Sequence, residues 1–122
     1  MVIILAQHML KQIEQKEKAM GNPSNKMNGT KWIELIRVRS SVEVLQEAMP
    51  TLSEQVNEIE VSASDAETFF MKHALYDGDL SVVIVWRNNA EPKKTREGLM
   101  VAERMRELGP IDHAVWIPVE KK

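Results

Sequence analysis

The stretch FFMKHALYDGDLSVVIVWR, Phe69–Arg87, decides how this chain folds. Two apolar runs flank Asp77-Gly78, a dipeptide suited to the tight turn of a β-hairpin. The second run, Leu80–Trp86, carries Val82, Val83, Ile84 and Val85, whose branched side chains suit a pleated, buried surface. A two-residue turn fixes register, so Tyr76 is expected opposite Asp79, His73 opposite Val82 and Phe69 opposite Trp86. One face would then carry Phe69, Met71, His73, Leu75, Leu80, Val82, Ile84 and Trp86, with Phe70, Lys72, Ala74, Tyr76, Val83 and Val85 on the other. A competing pattern exists over 65–75, where Ser64 and Glu67 could cap a helix presenting Ala66, Phe69, Phe70 and Ala74. The strand is preferred because the strong run after Asp77-Gly78 needs a partner.

Upstream of the hairpin, KWIELIRVR from Lys31 alternates weakly and reads as a strand. Ser40 with Glu43 forms a capping box, and Leu45, Ala48, Met49, Leu52 and Val56 make a helical stripe. Pro50 interrupts it without changing its phase, which predicts a kinked helix, or two short ones, ending by about Glu60. Downstream, NNAEPKK reads as a loop with Pro92 in the first turn of a helix carrying Leu99, Val101, Ala102, Met105 and Leu108. Gly109-Pro110 ends that helix, and a last strand follows over His113–Val119, its Pro118 pointing to a sheet edge.

The order β-α-β-β-α-β predicts an α+β domain over 31–122: a ferredoxin-like antiparallel sheet with both helices on one face. Residues 1–30 stand apart. Val2, Ala6, Met9, Ile13 and Met20 recur at helical spacing, and GNPSNKMNG, residues 21–29, has the composition of a linker. This segment holds Lys11, Lys16, Lys18 and Lys26 against Glu14 and Glu17, leaving 12 basic and 16 acidic side chains for the rest. It reads as an N-terminal helical arm, docked on a second subunit or lying on its own domain; Met27 as an alternative start is equally compatible.

Composition narrows the partners. At 122 residues the chain suits one domain. A net charge of −2 gives no general reason to expect nucleic acid or an anionic membrane. No cysteine is present, which excludes disulfides, thiolate metal sites and cysteine nucleophiles. The apolar start, MVIIL, is too short for a secretory h-region of roughly 7–15 residues or a membrane span of about 20. A cytoplasmic protein is the default expectation.

Candidate chemistry gathers on the hairpin. His73 and the indole N–H of Trp86 are the polar groups of an otherwise apolar face, the usual make-up of a ligand pocket. His73 can act as base, acid or ligand near neutrality, or be a core histidine bonded to backbone. Glu34 lies between Trp32 and Ile36; facing inward it would serve as a catalytic base, and facing outward it would pair with Arg or Lys. Tyr76 beside Lys72 could bind an anion, while Asp112 and His113 fit the turn into the last strand. There is no glycine-rich phosphate loop, and His8, His73 and His113 lack metal-ligand spacing.

The element order and VVIVWRN, Val82–Asn88, resemble the antibiotic-biosynthesis-monooxygenase-like proteins of the dimeric α+β barrel superfamily over about residues 31–120. The resemblance implies a homodimer packed sheet against sheet, with a pocket between each sheet and its helices that Trp86 lines. It also implies cofactor-independent oxygenation of an apolar or aromatic substrate as one activity, with no cofactor required. Haem-degrading members use an Asn, a Trp and a His, whereas this chain has Glu34 in the first strand and no His in the second helix. Catalytic roles are accordingly expected for His73 and Glu34, and substrate contacts for Trp86, Phe69, Met71 and Tyr76. The alternative is a non-catalytic homodimeric module assembling through its sheet face and arm.

Overall fold

Trp32, Glu34, Ile36 and Val38 alternate along strand β1, Trp32–Arg39, and all four are buried. The computed structural model describes residues 29–121. The expected helical arm and linker, with the Met27 question, lie outside these residues up to position 28. After β1 come helix α1 (Val42–Ser62), strands β2 (Ala66–Lys72) and β3 (Asp79–Trp86), helix α2 (Arg96–Arg106) and strand β4 (Ile111–Trp116). The four strands form one antiparallel sheet in the order β2-β3-β1-β4. This is the expected ferredoxin-like α+β fold.

The core lies between one face of the sheet and the two helices. From the sheet come Trp32, Ile36, Val38, Phe70, Leu80, Val82, Ile84 and Trp86; from the helices Leu45, Leu52, Val56, Ile59, Val101 and Met105. Helix α1 runs without a break through Pro50, which stands on its exposed side. The expected division into two helices does not occur. Ser41, one residue beyond the expected cap, accepts from Val44 N–H at 3.2 Å. Ser40 instead donates to the carbonyl of Leu108 at 2.7 Å, tying β1 to the end of α2. Helix α2 starts at Arg96, four residues after Pro92, with Thr95 as its N-cap. Strand β4 stops at Trp116, before Pro118, and is an edge strand as expected.

The hairpin forms in a different register from the expected one. Phe69 pairs with Val83, Phe70 with Val82 and Ala66 with Trp86. Asp77-Gly78 does not make a type I′ turn, which needs positive φ at both central residues; among the described residues only Gly29 has positive φ. Gly78 serves packing instead, since a Cβ there would collide with the carbonyl oxygen of Ser40. The loop is therefore long. His73 N–H still donates to Asp79 O at 3.2 Å, and His73 Nδ1 accepts from Leu75 N–H at 3.0 Å and Tyr76 N–H at 3.2 Å. The register shift is odd, so the faces of β2 exchange: Phe70 and Thr68 join the core, while Phe69 and Met71 turn to the outer face.

Arg39 and Asp79 are paired across β1 and β3 at the hairpin end. Arg39 Nε donates to Asp79 Oδ1 at 3.1 Å and Nη2 to Oδ2 at 3.4 Å. These bonds hold the Asp79 carboxyl below the usual aspartate range, against the opposing effect of burial. The sign follows from linkage: a lowered folded value stabilises fully above the unfolded value of about 3.9 and is lost as pH falls through the folded one. Urea midpoints measured across the acid range should drop in that window for the wild type. Asp79→Asn should lower the midpoint near neutrality and flatten the acid drop; an unchanged pH profile would remove Asp79 from the account.

Candidate active site: a buried carboxylate joined to an imidazole

Glu34 is the third residue of β1, opposite Ile84 on β3 and Val115 on β4, and its side chain is 0% exposed. An unpaired carboxylate is prohibitively unfavourable in such surroundings, so its lone pairs must be taken by donors. They are. Oε2 accepts from the Trp86 indole N–H at 2.9 Å and from the Thr95 hydroxyl at 2.5 Å. Oε1 accepts from Thr95 N–H at 3.0 Å and lies 2.9 Å from His113 Nε2.

Each partner comes from a different element. Trp86 ends β3 on the inward parity of Leu80, Val82 and Ile84. His113 shares the inward face of β4 with Ile111 and Val115. Thr95 is the N-cap of α2, its Oγ1 also accepting from Gly98 N–H at 2.9 Å. The positive end of that helix thus abuts the carboxylate, a favourable placement for a negative group. Gly98 makes the approach feasible, because a Cβ there would collide with Glu34 Oε1. Trp32 stacks on Trp86 at 5.6 Å between ring centroids and 23° between planes, and donates to Asn88 Oδ1 at 3.1 Å.

The chemistry follows from the donor count. Indole, amide and hydroxyl groups all donate to Glu34, which reads as a carboxylate accepting four bonds. His113 then carries its hydrogen on Nε2. Its Nδ1 has no hydrogen bond among the described residues, and the side chain is 5% exposed. A carboxylate that fixes an imidazole's tautomer and leaves the opposite nitrogen free is a proton-accepting device. Glu34 itself is enclosed and fully bonded, so a group arriving from outside would meet the ring and not the carboxylate.

Two of the residues singled out in the sequence, Glu34 and Trp86, meet here at 2.9 Å. The others do not join them. His73 follows β2 at the hairpin end, exposed, its ring 4.7 Å from that of Tyr76. It pairs with Asp79 at the far end of β3 from Trp86, about 23 Å along the strand. Phe69 and Met71 lie on the outer sheet face, Met71 being 51% exposed, and Tyr76 is 58% exposed in the loop. The physical reason is the odd register shift of β2. Sequence reasoning missed His113, Thr95, Gly98 and Trp32 as members of this cluster. The spacing Ile111-His113-Val115 was the available signal for His113, since strand alternation puts all three on one side. Among the described residues, no group of three His, Cys, Asp or Glu side chains is placed to hold a metal ion, and no helix is long and apolar enough to cross a membrane.

No family model and no curated protein matches the chain. Solved structures do. A candidate antibiotic biosynthesis monooxygenase from Deinococcus radiodurans aligns with a TM-score of 0.54 at 10% identity, over 75% of this chain and 95% of that one. Rv0793 from Mycobacterium tuberculosis gives 0.53 at 14%, over 75% and 98%. A conserved Bacteroides thetaiotaomicron protein of unknown function, described as a possible oxidoreductase, gives 0.52 at 12%, over 72% and 98%. At these identities the likeness establishes the fold, which is the one that the element order and VVIVWRN implied.

Two substitutions probe the carboxylate cage. Thr95→Val keeps the shape of the side chain but removes both the hydroxyl donor to Glu34 and the acceptor of Gly98 N–H, which should reduce stability by about 1–3 kcal/mol. Gly98→Ala forces Glu34 or the helix to move and should destabilise by a similar or larger amount, of order 1–3 kcal/mol or more. Both should change the near-ultraviolet circular dichroism of the Trp32–Trp86 pair. A Gly98→Ala protein as stable as the parent, with an unaltered spectrum, would show that α2 does not press on Glu34.

Proposed function

We propose that this chain is a homodimeric, small-molecule-binding α+β barrel protein that works as a cofactor-independent oxygenase on an apolar or aromatic substrate. The observation that carries the reading is the buried Glu34–His113 pair, with the second imidazole nitrogen left unbonded. In this reading His113 is the catalytic base, Glu34 is its positioning residue, and Trp86 holds Glu34 in place. His113 Nδ1 takes a proton from an acidified O–H or C–H of the substrate, and the adjacent carboxylate stabilises the imidazolium that forms. The resulting anion is electron-rich enough to reduce O2 itself. For an activated methylene, one oxygen atom becomes the new carbonyl and the other leaves in water, so the substrate supplies all the electrons. The descriptions of the Deinococcus and Bacteroides structures, a candidate monooxygenase and a possible oxidoreductase, support this class of chemistry.

The outer sheet face supports the dimer. On it Ile33, Leu35 and Phe69 are half-buried and Trp116 is 59% exposed at its β4 edge, while Val83 and Val85 are buried. An apolar sheet face of this kind is a site for association. The same face favours a second reading, a non-catalytic homodimeric module, in which the Glu34 cluster serves only to fix the fold.

Catalysis and assembly are tested separately. A panel of quinols, anthrone-like and flavonoid-like compounds should raise the melting temperature, and the reactive ones should consume oxygen without added cofactor. His113→Asn should keep the melting shift while cutting oxygen uptake by about 10²-fold or more. No melting shift and no uptake with any compound would sink the enzyme reading and leave the module. Sedimentation equilibrium should give a dimer that Leu35→Asp converts to a folded monomer; a monomeric parent, or a variant still dimeric, would remove the outer face as the interface.

A further inference from the structure

Asn88, two residues past Trp86, is half-buried, and both ends of its side-chain amide are taken. Oδ1 accepts from the Trp32 indole N–H at 3.1 Å and from Ala90 N–H at 3.1 Å, which fills its two lone pairs. Nδ2 donates to Asp65 Oδ2 at 2.8 Å, and the carbonyl of Asp65 in turn accepts from Arg87 N–H at 2.9 Å. The amide fits only one way round. Flipped, it would aim N–H groups at two donors and an oxygen at a carboxylate.

Two routes lead from Asn88 to Glu34. The first runs through the indoles. Trp32 is 2% exposed, so its N–H needs an acceptor inside the protein, and Asn88 Oδ1 is that acceptor. The Trp32 ring held this way stacks on Trp86, whose own N–H donates to Glu34 Oε2 at 2.9 Å. The second route runs along the chain. Residues 87–95 join β3 to α2 without regular structure, and 89–91, 93 and 94 are exposed, so packing does little to fix them. The bond from Ala90 N–H to Asn88 holds that connection at its start, and at its end Thr95 gives Glu34 both its N–H and its hydroxyl. Three of the four hydrogen bonds to Glu34 thus come from Trp86 and Thr95, on either side of Asn88 in the chain. The fourth comes from the His113 ring, so a carboxylate that shifts or turns alters the bond that keeps hydrogen on Nε2.

We infer that Asn88 is a positioning residue for the His113 base: it sets Trp32 and the β3–α2 connection, and through them the Trp86 and Thr95 donors that fix the Glu34 carboxylate. The inference rests on the role proposed above for His113. Asn88 makes no hydrogen bond to Glu34 or His113, so its effect is carried by these neighbours.

The test reads the imidazole directly. Long-range ¹H–¹⁵N spectra of the full chain, assigned with His113→Asn and recorded where the ring is neutral, give the share of His113 carrying hydrogen on Nδ1. That share should be small in the parent and several-fold larger in Asn88→Leu, which removes both ends of the amide. With an oxygen-consuming substrate, kcat should fall about 10-fold or more in Asn88→Leu while KM changes little, since small misplacements are felt mainly at the transition state. Asn88→Asp sets a second carboxylate against Asp65 and should raise the Nδ1–H share as well. Adding Asp65→Asn to it restores a donor–acceptor pair with the roles exchanged, and should return the spectrum to that of the parent. An Nδ1–H share unchanged in either single variant, failure of the exchanged pair to restore the parent spectrum, or an unchanged kcat in an active parent would each overturn the inference. A parent that consumes no oxygen, while its His113 spectrum still responds to position 88, would instead sink the oxygenase reading and leave Asn88 as the residue that positions the imidazole.

Discussion

The constraint on which this structure depends is the burial of one carboxylate in an otherwise apolar layer. Glu34 takes four hydrogen bonds, and they reach β3, β4 and the first turn of α2. Removing any donor leaves a buried charge short of a partner, which costs more than an ordinary lost hydrogen bond. The neighbouring sequence is therefore restricted in ways that packing alone would not require. Position 95 needs a side chain that both accepts from the helix and donates to Glu34, and position 98 tolerates no Cβ. Buried ionic groups are often no more stabilising than apolar replacements of the same volume. A residue that imposes such demands without a clear gain in stability is a natural place to look for chemistry.

The architecture was legible because it rests on patterns that survive small errors. The run Leu80–Trp86 is a strand in almost any register, and the stripe of α1 keeps its phase across Pro50. Side-chain direction is less forgiving. Strand faces alternate with a period of two, so an odd slip exchanges the faces completely. Reading Asp77-Gly78 as a two-residue turn carried Phe69, Met71 and His73 to the side of Trp86. The backbone at Gly78 has no positive φ, and the glycine is needed for its close approach to Ser40. Local turn chemistry was overruled by a contact with a residue nearly forty positions away, and no local pattern encodes that.

The same argument explains which part of the site was visible. Glu34 and Trp86 stood out because a polar residue between Trp32 and Ile36, and an indole at the end of a β-branched run, break a local pattern. His113 breaks one too, but it stands in a short edge strand beside Asp112, where a polar residue excites no suspicion. Its meaning comes only from sheet order: β4 lies next to β1, so Val115 faces Glu34 and His113 follows on the same side. Thr95 and Gly98 are harder still. They read as a cap and a poor helix former until the helix is seen to end on a carboxylate.

A separation of duties follows from the corrected register. With the expected pairing, one apolar wall would have had to line a pocket and also meet a partner. In the structure the residues proposed for the two roles lie on different faces. The inner face of the sheet holds the core, with Glu34, Trp86 and His113 at one end of it, and the outer face presents Ile33, Leu35 and Trp116. Side chains on opposite faces of one strand share only backbone, so Leu35 can be optimised for association while its neighbour Glu34 is optimised for its hydrogen bonds. Association can still rigidify β1 and thereby hold the carboxylate and imidazole in register. A dimer built this way would support the site mechanically without contributing an atom to it.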